Sequence, residues 1–74
     1  MEHTDDFKIS IAAARVNAKK TQAEVAKALK VSKQTIVSWE NGKTSPTVDK
    51  AEEFCRFCNI PYNRVSFLRS SNAI

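Results

Sequence analysis

The sequence predicts an all-α fold of five short helices, and three observations predict it. Apolar residues recur at helical spacing, and no segment of useful length alternates apolar with polar. One glycine and two prolines in 74 residues are too few turn residues for a loop-rich all-β fold. Hydroxyl residues stand just ahead of the periodic segments, where the free amides of a helix start need an acceptor. A chain of this size makes one domain and buries only about 60% of its unfolded surface. Such a thin core suits a binding module better than an enclosed active site. No apolar run approaches the ~18 residues of a membrane span, and the start Met1-Glu2-His3-Thr4-Asp5-Asp6 is acidic and polar, the opposite of a signal peptide.

Residues 1–9 read as a flexible arm, residues 10–68 as the folded domain and residues 69–74 as a polar tail. The first helix, capped by Ser10 or started a turn earlier by Asp6, carries Ile11, Ala14 and Ala18 on one face and runs to about Ala18. Thr21-Gln22-Ala23-Glu24 has the form of a capping box and opens a second helix, Gln22 to Leu29, with Val25, Ala26 and Leu29 together. Ser32 caps a third, Lys33 to Asn41, with Ile36 and either Trp39 or Glu40 inward on one side, and Gly42 ends it in a left-handed conformation. Thr47 caps a fourth, Val48 to about Cys58, stopped by Asn59. Pro61 suits the first turn of a helix, so Val65, Phe67 and Leu68 suggest a short fifth.

Residues 21–42 are the informative unit: two capped helices, each too short to be stable alone, joined by a tight turn. They must pack steeply on each other, with the small Ala26 at the crossing and Val31 and Ile36 closing the pocket. With Ile36 and Trp39 or Glu40 inward, Lys33, Gln34, Val37, Ser38 and Asn41 face out. An α-helix fits the DNA major groove, where Lys reads guanine, Gln reads adenine and an apolar methyl touches that of thymine. The charge agrees with a polyanionic partner: residues 19–47 hold six lysines against two glutamates, within a chain of net charge +4. The start of the Gln22 helix, flanked by Lys19, Lys20, Lys43 and Thr44, offers amides and cations to phosphate.

The segment T-Q-A-E-V-A-K-A-L-K-V-S-K-Q-T-I-V-S-W-E-N-G-K-T-S-P resembles the helix-turn-helix of the phage-repressor and Cro-like regulators, the Xre family, and the resemblance extends over about Ile11 to Leu68. It implies a five-helix, lambda-repressor-like domain that binds operator DNA as a dimer, in the cytoplasm of a bacterial or phage-infected cell and on its nucleoid. It implies base contacts from Lys33, Gln34 and Ser38, beside Val37, and a phosphate clamp at Gln22. Asn41, Lys43 and Thr44 match the family's backbone-contacting loop, and Thr35 joins Lys19 and Lys20 in the phosphate-facing set. Arg15 and Glu40 match an ion pair that joins helices 1 and 3 in related repressors. The departures are Lys20 at a usually apolar position, Lys30 where the family often has glycine, and Pro61 in place of a polar cap.

A single such module covers only about 600–1,000 Å² of protein surface on DNA, so selective binding calls for two copies on a palindromic or pseudo-palindromic operator. The homodimer surface is expected near Ile60, Tyr62, Val65, Phe67 and Leu68, where apolar residues exceed what a small core needs. At 74 residues no separate effector or oligomerisation domain is expected, which favours a Cro-like or small prophage-encoded regulator. The competing class is a protein-interaction module, an antitoxin or adaptor built on the same fold.

Neither an enzyme nor a metal or cofactor site is expected, since no nucleophile–base pair or ligand cluster is evident. Cys55 and Cys58 form C-x-x-C, but zinc needs about four ligands and His3 is the only other soft donor. Without a βαβ context the pair reads as small buried apolar residues. The carboxylates of Asp49, Glu52 and Glu53 read as a solvated face.

Overall fold

The computed structural model describes residues 7–67. Among them are four α-helices, α1 (Ile11–Asn17), α2 (Gln22–Leu29), α3 (Lys33–Glu40) and α4 (Val48–Cys58), followed by a single 3₁₀ turn, Tyr62–Arg64. Every α-helix starts on the hydroxyl its sequence offers. Ser10, Thr21, Ser32 and Thr47 accept from the backbone amides of Ala13, Glu24, Thr35 and Lys50. The capping box is complete: the Thr21 amide donates to Glu24 Oε1 at 2.8 Å and the Glu24 amide to Thr21 Oγ1 at 3.0 Å.

The four helices also stop in one way. The residue just past each last turn, Lys19, Lys30, Gly42 or Asn59, has positive φ. The following amides of Lys20, Val31, Lys43 and Ile60 then close back on the carbonyls of Arg15, Ala26, Ser38 and Cys55. This closure satisfies carbonyls the helix end leaves free. Gly42 and Asn59 are suited to it. The lysines are not, and each left-handed lysine costs about 1–2 kcal/mol. At the α2 end a second cation helps: Lys50 of α4 donates its Nζ to the Leu29 carbonyl at 2.6 Å.

The core lies where the helices meet. Val25, Ala26 and Leu29 of α2, Ile36 and Trp39 of α3, and Phe54, Cys55 and Cys58 of α4 are buried, together with Ile11 and Ala14 of α1. Ala26 is only 5% exposed and shares the core cluster with the fully buried Ile36, and Val31 packs against that cluster. A larger residue than alanine there would push α2 and α3 apart.

The fifth helix expected from Pro61 on is absent among the described residues. Val65 is extended (φ −115°, ψ 134°) and forms a parallel bridge with Ile9. The Ile9 amide donates to the Arg64 carbonyl and the Ser66 amide to the Ile9 carbonyl, both at 2.9 Å. The reason is in the spacing. Val65 and Phe67 stand two apart, which puts both side chains on one side of an extended strand but on different sides of a helix. Pro61 supplies no side-chain cap. Val65 thereby enters the core and Phe67 packs edge-on against Phe54, with ring centres 6.0 Å apart. Ile9, expected in the arm, is fastened by the same two bonds, whereas residues 1–6, residues 69–74 and Leu68 lie outside the described residues.

Candidate nucleic-acid interface

The α2–α3 unit is tied at one corner by a network centred on Glu40. Arg15 Nε donates to Glu40 Oε2 at 2.6 Å and its second terminal nitrogen to Oε1 at 3.2 Å. Arg15 also donates to the Lys20 carbonyl at 2.9 Å, and Gln22 Nε2 donates to Glu40 Oε1 at 3.0 Å. The Arg15 and Glu40 side chains are only 16% and 8% exposed, so this pair is poorly screened by solvent. The hydrogen bond to Glu40 raises the Arg15 pKa above its ordinary value, outweighing the opposing effect of burial.

Beside this corner opens a shallow cleft lined by Arg15, Val16, Lys19, Lys20, Thr21, Gln22, Ala23 and Lys33. It brings three lysines to the first turn of α2, where the amide ends carry partial positive charge. Lys33 and Gln34, at the start of α3, are exposed, while Val37 and Ser38 further along are half-buried. Lys43 and Thr44 are exposed past the opposite end of α3, as is Asn41 at its cap. Thr44 donates its hydroxyl to Ser38 at 3.0 Å, and Thr35 shares a hydrogen bond with Ser32 at 2.9 Å. One side of α3 is thus apolar and covered, and the other is polar and open.

The result is a short capped helix packed on a second, with one polar side left open. A family model for helix-turn-helix proteins matches residues 11–65, most of the chain. The chain belongs to the Xre/Cro-like helix-turn-helix family. It carries the domain of DNA-binding transcriptional regulators, a family that is generally non-enzymatic. No curated protein sequence matches it.

Within this helix-turn-helix protein some expected residues sit elsewhere than foreseen. Val65, expected on a dimer surface, is 2% exposed and belongs to the core. Phe67 is half-buried beneath Tyr62, with ring centres 5.4 Å apart, and Leu68 lies outside the described residues. Tyr62 and Ile60 keep some exposure, and Phe7 is 67% exposed. Phe7, Ile9, Ile60, Pro61 and Arg64 line a mostly apolar cleft. Lys20 is half-buried with its ammonium 4.8 Å from the centre of the Phe57 ring, a cation–π contact that accommodates a charge at a usually apolar position. Lys50 and the Gln22–Glu40 bond were also missed, because both join residues far apart in the chain.

Cys55 and Cys58 are free thiols in the buried face of α4, and burial pushes the pKa of both upward. That favours the unreactive thiol over the thiolate. Among the described residues no group of three His, Cys, Asp or Glu is placed to hold a metal ion, and no helix is long and apolar enough to cross a membrane.

Proposed function

We propose that this helix-turn-helix protein binds double-stranded DNA sequence-selectively, with α3 in the major groove and α2 lying across the phosphates. The observation that carries this reading is the two-sidedness of α3. Ile36 and Trp39 are covered, while Lys33 and Gln34 stand exposed next to the lysine-lined start of α2. Lys33, Gln34, Val37 and Ser38 contact base edges, and Lys19, Lys20, Gln22, Thr35, Asn41, Lys43 and Thr44 contact phosphates. Gln34 reads adenine through paired hydrogen bonds, Lys33 reads guanine, and Val37 meets a thymine methyl.

Two copies bind half-sites about 34 Å apart on a pseudo-palindromic operator. The exposed Phe7 and Tyr62, with Ile60, which lines the same cleft as Phe7, supply the apolar surface for that dimer. The small helix-turn-helix module fits a Cro- or repressor-like regulator of phage or prophage origin acting on the bacterial nucleoid.

Selection of bound duplexes from a random pool at stated salt tests the proposal. A shared palindromic motif is expected, and Gln34→Ala flattens the preference at one adenine by about 1–3 kcal/mol while leaving non-specific affinity in place. A pool without a common motif, together with weak salt dependence, would redirect the protein to the antitoxin or adaptor class.

A further inference from the structure

A glutamine at a phosphate contact has an ambiguity that lysine lacks. Its terminal amide rotates over a broad, roughly two-fold torsion, so it can offer an anion either its N–H or its carbonyl oxygen. Only the first is attractive. In this chain Gln22 is half-buried at the first position of α2, and its Nε2 lies 3.0 Å from Glu40 Oε1. An ionised carboxylate only accepts, so it selects the nitrogen and repels the amide oxygen. One hydrogen of Nε2 is taken by Glu40, and a second remains.

Glu40 is itself fixed. Arg15 holds both of its oxygens, at 2.6 and 3.2 Å, and is anchored in turn on the Lys20 carbonyl. The guanidinium also offsets the carboxylate charge, which would otherwise oppose an approaching phosphate. The Arg15–Glu40 pair already joins α1 to α3. The additional bond carries that rigidity to a side chain on the rim of the lysine-lined cleft.

We infer that Glu40 is a positioning residue for DNA binding: it fixes the Gln22 amide so that the remaining N–H is presented to a backbone phosphate at the start of α2. The inference rests on the proposed DNA-binding reading of the α2–α3 unit.

The test is a double-mutant cycle read by fluorescence anisotropy on a labelled mixed-sequence duplex, at fixed low salt and below the melting temperature of every variant. Glu40→Gln keeps the side-chain volume but leaves one acceptor atom for three donors, so the Gln22 amide is no longer fixed. Glu40→Gln is expected to weaken binding about tenfold in the unmodified background, equivalent to about 1.4 kcal/mol, and to have little effect once Gln22→Ala is present. Equal losses in both backgrounds would make Glu40 merely structural and overturn the inference, as would Gln22→Ala binding unchanged. No binding of the duplex by the unmodified protein would overturn the DNA-binding reading itself. If Glu40→Gln does not fold, NMR relaxation of the Gln22 side-chain NH₂ in the unmodified protein decides. An amide as ordered as the backbone supports the inference, and a freely rotating one ends it.

Discussion

The α2–α3 unit and the segment from Ile60 to Phe67 are about equally apolar in sequence, yet they reach their structures by different routes. Each helix of the unit carries its own start and stop. Thr21 and Ser32 cap the beginnings, and Lys30 and Gly42 close the ends. The later segment has no side-chain cap at Pro61, and its backbone is set by a partner from the other end of the chain, Ile9. Local capping chemistry survives being read one residue at a time. Pairing across the whole domain does not.

Substitutions that separate the two routes differ in size. The largest effect is expected for Ile36→Lys, which buries an unpaired charge at a fully covered position. Its cost of several kcal/mol is comparable to the whole stability of a small domain. Loss of the cooperative thermal melt by circular dichroism is the expected result, and a melt close to that of the parent would mean the α2–α3 packing is wrong. Val65→Ala tests the other region. It leaves a cavity in the core and should cost about 2 kcal/mol, whereas an exposed residue of a fifth helix would cost almost nothing. Denaturant midpoints separate the two cases. The smallest effect sharpens the comparison from the favourable side. Lys30→Gly relieves a left-handed lysine and should stabilise by about 1 kcal/mol, visible as a raised melting temperature. A lowered one would show that the lysine side chain contributes more than its backbone strain costs.

The four α-helices were legible because each begins on Ser or Thr and each buries residues at helical spacing. The outward face of α3 followed from the inward one, since placing Ile36 and Trp39 in the core leaves Lys33 and Gln34 outside. Lys19 gave no signal for its left-handed backbone, because nothing in the residue favours it. Lys30 carried only the hint that related sequences often have glycine there. Val65, expected in a fifth helix opened by Pro61, is extended instead, and the sign of it was the two-residue spacing of Val65 and Phe67. Lys50 on the Leu29 carbonyl and Gln22 on Glu40 join elements 21 and 18 residues apart, beyond any periodicity within one helix.

The bridge between Ile9 and Val65 has a consequence for how the molecule assembles. It closes a loop that includes all four helices, so its entropic cost falls only after they have docked. Helix pairs with short connections can form in microseconds, while this contact must wait for the two chain ends to be brought together. The Ile9 and Ser66 amides, which hold the bridge, should therefore be among the first in the described fold to exchange with solvent deuterium. The clasp is expected to form last and to open first.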